Sequence, residues 1–226
     1  MKIAVLGTGV VGQAHAQKLS QLGHKVFMGT NDPTKTKART KIDQMSRPGI
    51  GIWLEVNPAV KLCNFQTAAQ NAELIINATN GQSSLKILSG IKKDIASKVL
   101  IDISNPLDFS KGFPPTLSVC NNDSLAEQIQ KALPKARVVK AFNTTNASVQ
   151  VDPGRVAKAD HHLFIAGNDQ DAKGQVIKLA KQQYGWKNIL DLGDIKSARG
   201  MEMILPIWLQ IMNSLNSADF NFKIAR

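Results

Sequence analysis

Short runs of apolar residues alternate along the chain with segments in which apolar residues recur every three or four positions. Within each run the apolar residues follow one another without the polar alternation of a half-exposed strand. Continuous runs of this kind are typical of strands covered on both faces, as in a parallel sheet between two layers of helices. Seven strands are predicted: "KIAVL" (2–6), "KVFM" (25–28), "ELIINA" (73–78), "KVLIDI" (98–103), "RVVKAF" (137–142), "HLFIAG" (162–167) and "NILDL" (188–192).

The amphipathic segments between the runs predict helices on both faces of that sheet. Two of them begin with good N-terminal caps, Asp123 or Ser124 and Asn168 or Asp169. The alternation predicts an α/β fold, a doubly wound and mainly parallel sheet of the NAD(P)-binding Rossmann type, as a single domain over residues 1–226. Helices are predicted near 10–22, 82–96, 123–132 and 170–183, with a C-terminal helix at about 199–216.

The C-terminal helix is apolar on more than one side in the stretch "MEMILPIWLQIM" (201–212). A membrane-spanning helix needs about 20 apolar residues, so this stretch is too short to cross a bilayer. Apolar patches of this size mark interfaces, and we expect a homodimer with this helix at or near the shared surface. The alternative is a helix wholly buried within one subunit. The residues expected at the interface are Met201, Leu205, Trp208 and Met212.

Two stretches lack a regular pattern. The segment "RPGIGIWLEVNPAV" (47–60) is predicted to be an irregular insertion after the second strand, and "NPLDFSKGFPP" (105–115) a loop rich in Pro and Gly. The loop follows a predicted strand, and open α/β sheets bind ligands beyond the carboxyl ends of their strands. We therefore expect the 105–115 loop to border a ligand site.

Composition excludes several kinds of partner. The net charge is +11, but the basic residues are scattered and there is a single Tyr. Surfaces that bind nucleic acid interleave basic and aromatic residues, so no nucleic-acid partner is expected. Cys63 and Cys120 lie in unrelated patterns, which indicates inert thiols in a reducing, cytoplasmic setting. The histidines have no carboxylate or cysteine at ligand spacing, so no metal site is expected.

Directly after the first predicted strand, the sequence reads Gly7-Thr8-Gly9-Val10-Val11-Gly12 and then continues as a helix. This G-x-G-x-x-G pattern in a strand–turn–helix context predicts a dinucleotide site. Gly7 is expected to form the tight turn, Gly9 to admit the pyrophosphate and Gly12 to let the helix pack on the strand. The pyrophosphate would bind to the free N–H groups of the helix N-terminus.

The residue after the second strand bears on the choice of cofactor. In NAD-preferring enzymes it is Asp or Glu, which binds the ribose hydroxyls and repels a 2′-phosphate. Spacing from the glycines places Thr30 there, and Asp32 comes too late. The basic residues that follow either meet a phosphate or form a solvated helix face, and the combination favours NADPH. These basic residues are Lys35, Lys37, Arg39 and Lys41.

Several blocks resemble a known family, the coenzyme F420-dependent NADP oxidoreductases, and the resemblance runs nearly end to end. They are "MKIAVLGTGVVG", "LGHKVFMGT", "LIINAT", "VLIDISNPLDF", "VVKAFNT", "LFIAGND" and the terminal "EMILPIWLQIM" and "NFKIAR". The blocks "VVKAFNT" and "AGND" are also similar to the cytosolic NADPH-binding domain of the six-transmembrane ferric reductases.

The resemblance implies three walls of a nicotinamide pocket, each just beyond a predicted strand: "NATNG" (77–81), Asn105-Pro106 and "FNTTN" (142–146). The phosphate site of the family reads Ser or Thr followed by Arg, whereas here Thr30 is followed by Asn31. Asn31 and Lys35 are expected beside the cofactor phosphate. The residues expected to bind the rest of the cofactor include Ala78, Thr79, Asn80, Asn105, Pro106 and Asn143.

Both similar groups transfer hydride from NADPH to a flavin-like ring. The resemblance therefore implies an NADP-dependent oxidoreductase whose small-molecule acceptor is a flavin or a deazaflavin such as coenzyme F420. Catalysis would come from positioning the two rings, without a catalytic acid or base. Two alternatives remain open: a dehydrogenase of small carbonyl or hydroxyacid substrates with Lys140 as the acid, and a redox sensor that binds NADP(H) without turnover.

Overall fold

The predicted apolar runs form most of a central sheet. A computed structural model describes residues 1–43 and 46–226. Within these ranges the main sheet has eight strands, and two further strands form a separate small sheet. All seven predicted strands are confirmed. In chain order the strands are β1 (Lys2–Leu6), β2 (Lys25–Thr30), β3 (Val60–Asn64), β4 (Leu74–Asn77), β5 (Val99–Asp102), β6 (Leu107–Asp108), β7 (Thr116–Leu117), β8 (Arg137–Ala141), β9 (His162–Gly167) and β10 (Asn188–Asp191).

The strand order across the main sheet is β10-β9-β8-β5-β4-β1-β2-β3. Neighbouring strands pair in parallel except for β8 with β9, so β9 and β10 run opposite to the others. Strand β1 lies between β2 and β4, so the chain leaves β1 towards one side of the sheet and later crosses to the other. Open α/β sheets form a ligand crevice at such a reversal. The mainly parallel, doubly wound Rossmann-type sheet is confirmed.

Helices cover both faces of the sheet. Alternate residues of β1 point to opposite faces, so Ile3 belongs to one buried apolar cluster and Ala4 to the other. Ser124 and Asp169 each accept a hydrogen bond from the first turn of a helix, which confirms two predicted caps. The helices are α1 (Val10–Gln21), α2 (Pro33–Lys37), α3 (Ile50–Glu55), α4 (Phe65–Asn71), α5 (Gly81–Gly90), α6 (Lys92–Ile95), α7 (Leu125–Ala132), α8 (Ala147–Val151), α9 (Gln170–Leu179), α10 (Ala198–Met203) and α11 (Leu205–Leu215).

Two predicted irregular stretches contain regular structure. The prediction of an irregular insertion at 47–60 was wrong, because this segment contains α3 and leads directly into β3 at the edge of the main sheet. Trp53 of α3 is buried in the core, which anchors the segment. In the 105–115 loop, β6 pairs with β7, which follows the loop directly, as a short antiparallel hairpin.

The predicted C-terminal helix is divided into α10 and α11, which meet at Ile204. The hypothesis that Met201, Leu205 and Trp208 lie on a shared surface needs correction, because all three are buried within the chain. Met212 is half-buried. The exposed apolar residues of these helices are instead Met203, Ile207 and Leu215. No helix in the described part of the chain is long and apolar enough to span a bilayer.

Candidate functional site

The glycine turn joins β1 to α1 at the reversal of strand order. Gly7 has a φ of +114°, and a Cβ atom on it would lie 2.4 Å from the carbonyl oxygen of Ala78. A Cβ on Gly12 would lie 2.2 Å from the carbonyl oxygen of Gly7. No heavy atom lies within 4 Å of a Cβ placed on Gly9. Gly7 and Gly12 therefore allow close backbone packing, whereas Gly9 faces open space.

That open space lies in front of the α1 N-terminus. Gly9 is the N-cap residue and supplies no side chain to the first-turn N–H groups of the helix. Such N–H groups, together with the positive end of the helix dipole, bind phosphate groups. The turn therefore leaves room for an anion at Gly9, which is where the sequence predicts the pyrophosphate.

A cavity of about 470 Å³ begins at this turn. It runs between the ends of β2 and β4, and it brings together nine residues that the sequence analysis assigned to the cofactor. The cavity is also lined by Phe65, Ser83 and Ile87. These three residues were not predicted, because they lie outside the sequence motifs. The nine predicted residues are Gly7, Thr8, Gly9, Val10, Val11, Thr30, Ala78, Thr79 and Asn80.

The end of β2 places Thr30 at this cavity, in the position where NAD-preferring enzymes have a carboxylate. Thr30 is buried, and its Oγ1 lies 2.8 Å from Oγ1 of Thr36. Asp32 accepts a hydrogen bond from the backbone N–H of Lys35 at 3.0 Å, so its carboxylate caps α2. The Lys35 side chain is 87% exposed, and Asn31 is also exposed. Neither Asn31 nor Lys35 lines the cavity, so their place beside the cofactor phosphate stays a prediction.

Arg39 is the basic residue that the structure brings to the turn. Its Nη2 donates a hydrogen bond to Oγ1 of Thr8 at 2.8 Å. Arg39 and Lys41 line a second cavity, of about 340 Å³, that shares Thr8 and Gly9 with the first. Arg39 was predicted only as one of four basic residues, because sequence spacing does not show which of them folds back onto the glycine turn.

Asn105 and Asn143 join the ends of β5 and β8 to α10. Asn143 Nδ2 donates to Asn105 Oδ1 at 2.9 Å and to the Met201 carbonyl oxygen at 2.7 Å. Asn105 Nδ2 donates in return to the Asn143 carbonyl oxygen at 3.0 Å. These residues and Pro106 lie at the same sheet edge as the turn but do not line the 470 Å³ cavity. We call Asn105, Asn143 and Met201 the amide tie.

Thr79 and its neighbours form hydrogen bonds directly behind the cavity wall. The Thr79 hydroxyl donates to Asn77 Oδ1 at 2.6 Å and also lies 2.6 Å from Ser84 Oγ. Its side chain therefore points into the protein, and Thr79 borders the cavity without directing its hydroxyl there. The Thr79 hydroxyl is therefore less able to orient the carboxamide of a nicotinamide.

Lys140 is completely buried between two carboxylates. Its Nζ lies 2.8 Å from Asp102 Oδ2 and 2.8 Å from Glu202 Oε1, and it also donates to the carbonyl oxygen of Ser104. Burial opposes the charged form, but the two carboxylates outweigh it and raise the pKa of Lys140 above its usual range. An ammonium group held in this way is a poor proton donor, so the geometry does not favour the dehydrogenase alternative.

A second buried network supports the segment after β8. His15 Nε2 lies 3.0 Å from Gln150 Oε1, and His15 Nδ1 lies 2.9 Å from the Tyr184 hydroxyl. Burial lowers the pKa of His15 to about 4, so the ring is neutral at neutral pH. Phe142, with a φ of 64°, packs edge-on against His15 and Tyr184. A left-handed backbone is costly for an aromatic residue and persists only where packing fixes it.

Comparisons with known proteins agree with the geometry of the turn. Residues 2–106 match the family model described as NADP oxidoreductase, coenzyme F420-dependent. The chain is 30% identical to the F420-dependent NADP reductase of Methanocaldococcus jannaschii, over 99% of this chain and 98% of that protein. It is 26% identical to metalloreductase STEAP3 of Rattus norvegicus, over 92% of this chain but 38% of that protein.

Among solved structures, a proposed F420-dependent NADP reductase from Arthrobacter sp. FB24 superimposes with a TM-score of 0.94. The two chains are 51% identical, and the match covers 100% of each. Both resemblances inferred from the sequence blocks are thereby confirmed.

Proposed function

The chain belongs to the family of coenzyme F420-dependent NADP oxidoreductases, and from this premise we propose that it transfers hydride between NADP(H) and the ring of a deazaflavin. It is an NADP-dependent oxidoreductase, and the identity of its acceptor is the part that is proposed. The deazaflavin is proposed from the names of the similar reductases, and the observation that supports the nucleotide half is the unobstructed space at Gly9, where the α1 N-terminus opens on a 470 Å³ cavity. A flavin or a ferric chelate is the alternative acceptor.

The adenosine half of NADP(H) is proposed to lie in the cavity between the ends of β2 and β4. The pyrophosphate would accept hydrogen bonds from the first turn of α1, next to Gly9. Thr30 offers a hydroxyl without the negative charge that would repel a 2′-phosphate. Arg39, held beside the turn by Thr8, supplies a cation near the same end of the cavity. Together these residues would select NADP(H) over NAD(H).

Arg39 also accounts for a departure from the family pattern. The family places an arginine directly after the hydroxyl residue, whereas this chain has the exposed Asn31 there. Arg39 reaches the turn from beyond the end of α2 and hydrogen-bonds Thr8. A guanidinium group from a different segment thus supplies the charge that position 31 lacks, and it can bind phosphate through two N–H groups at once.

The nicotinamide half is proposed to lie towards the amide tie. The cofactor, when bound, supplies the hydride, and the chain supplies position and a controlled environment. Asn105 and Asn143 fix the ends of β5 and β8 relative to each other, and Met201 fixes both to α10. The acceptor ring would approach from the side of the 105–115 loop. Rate enhancement would then come from holding two rings in contact, which requires no proton-transferring side chain.

An acceptor panel tests this function. The purified chain is mixed with NADPH or NADH and, in turn, with a deazaflavin, a flavin, a ferric chelate and a small ketone, while reduced nicotinamide absorbance is recorded. We expect consumption of NADPH with the deazaflavin and much slower consumption of NADH. Consumption with the ketone alone would establish the dehydrogenase alternative. Tight NADPH binding with no consumption would establish the redox-sensor alternative.

A further inference from the structure

The largest buried feature that the proposed function leaves unused is a cluster of three charged residues, Asp102, Lys140 and Glu202. They come from the end of β5, from β8 and from α10. The side chains are 0%, 0% and 1% exposed. Two carboxylates share one ammonium group, so the cluster carries one net negative charge. Burying charge is costly, and a cluster that is not neutral calls for an explanation beyond packing.

Both carboxylates accept further hydrogen bonds besides their contact with Lys140. Asp102 Oδ1 accepts from Asn77 Nδ2 at 2.7 Å and from the hydroxyl of Ser104 at 2.7 Å. Glu202 accepts from the backbone N–H groups of Leu125 and Ala126 at 2.8 Å and 3.1 Å. Each of these donors stabilises negative charge on the carboxylate that it contacts. The α7 N-terminus offsets about half an elementary charge, so the cluster remains negative.

The cluster is joined to the amide tie through consecutive residues of the backbone. Ser104, whose carbonyl oxygen accepts from Lys140, precedes Asn105 in the chain. Met201, which accepts from Asn143, precedes Glu202. The negative charge is therefore built into the wall that the proposed function assigns to the nicotinamide.

We propose that this buried cluster favours the oxidised, positively charged nicotinamide over the neutral reduced ring, and so biases the bound cofactor towards giving up hydride. The inference rests on the proposed function and adds a direction to it, from NADPH to the acceptor. The two cofactor forms carry the same phosphates, so a charge near the nicotinamide separates them while the adenosine half does not.

The test is the affinity of the chain for NADP⁺ and for NADPH, measured by titration calorimetry without an acceptor. Glu202→Gln removes one negative charge and keeps an oxygen that can accept from the α7 N-terminus. We expect the ratio Kd(NADP⁺)/Kd(NADPH) to rise about five- to tenfold, which is about 1 to 1.4 kcal/mol of lost attraction for the positive ring. Asp102→Asn is expected to change the ratio in the same direction. Glu73→Gln, at the exposed amino end of β4, is the matched control and leaves it unchanged.

An unchanged ratio in a folded Glu202→Gln or Asp102→Asn protein would overturn the inference. If neither variant folds, the unmodified chain decides, because it is then expected to bind NADP⁺ more tightly than NADPH, and the reverse order would overturn the inference. Failure of the unmodified chain to bind either form would instead overturn the proposed function. A purely structural role for the cluster changes both affinities together and leaves their ratio constant.

Discussion

Replacing Gly9 by valine separates the ligand role of the glycine turn from its folding role. Gly9 has a φ of −76° and a ψ of −178°, an extended conformation that any residue adopts. A Cβ there meets no heavy atom within 4 Å. The cost to folding is the weaker N-cap alone, about 1 kcal/mol. The side chain would project into the space proposed for the pyrophosphate.

The loss of binding is expected to be large. Hydrogen bonds to a charged group contribute about 1.5 to 3 kcal/mol each, and displacement of the pyrophosphate would break at least two. The Kd for NADPH should therefore rise more than about a hundredfold. Gly12→Ala should instead lower the stability of the fold, because its Cβ would lie 2.2 Å from the Gly7 carbonyl oxygen. It should cost about 1 to 3 kcal/mol of stability, since the backbone must move.

Thermal unfolding and titration with NADPH distinguish these outcomes. Gly9→Val is expected to unfold near the temperature of the unmodified chain and to show no binding, whereas Gly12→Ala unfolds earlier. Normal NADPH binding by Gly9→Val would show that the pyrophosphate lies elsewhere. Unfolding of Gly9→Val at the temperature of Gly12→Ala would show that the space before α1 is not free.

Three further predictions test other parts of the site. Thr30→Asp should invert the preference for NADPH over NADH. Arg39→Gln should raise the Kd for NADPH about tenfold, whereas Lys35→Gln at an exposed position should have little effect. Equal Kd values for NADPH and NADH in the unmodified chain would refute this assignment. Asn143→Ala should slow hydride transfer and leave the affinity for an adenosine 2′,5′-bisphosphate fragment unchanged, and an unchanged rate would remove the amide tie from the site. Burial lowers the pKa of His15 to about 4 from an ordinary 6.5, so protonation of this side chain favours the unfolded state. The free energy of unfolding should therefore be highest above pH 6.5 and fall by about 3 kcal/mol as the pH drops to 4. His15→Gln should flatten that pH dependence, and His24→Gln should not.

Much of the fold could be predicted because each of the seven predicted strands is a continuous apolar run, and the long helices repeat apolar residues every three or four positions. Strand β3 could not, since "VKLCN" is short, partly exposed and at the sheet edge, and its position depends on pairing with β2. The reversed direction of β9 and β10 also left no local signal, because a run of apolar residues shows the same pattern in either direction.

The part of the site in which backbone segments approach each other closely could be predicted from the sequence. The glycine spacing identified the turn, and the Cβ contacts at Gly7 and Gly12 explain why. The positions of the polar side chains depend on tertiary structure, so Lys35 was favoured although Arg39 reaches Thr8.

The charged cluster did leave a signal in the sequence. Asp102, Lys140 and Glu202 each interrupt an otherwise apolar run, and a buried charge requires a partner. Their mutual pairing follows only once β5, β8 and α10 are in place. The homodimer stays a prediction, now with Met203, Ile207 and Leu215 as the exposed apolar residues available to an interface.

The central claim is direct transfer of hydride from NADPH to a deazaflavin, and isotope tracing tests it most directly. NADPH deuterated at the transferable C4 position is incubated with the chain and a deazaflavin, and the reduced acceptor is analysed by mass spectrometry. A reduced deazaflavin holds the transferred hydrogen on carbon, so it does not exchange with water. The account predicts deuterium in the acceptor from one of the two C4 epimers of NADPH. Reduced acceptor without deuterium from either epimer, or no reduction of the deazaflavin, would contradict it.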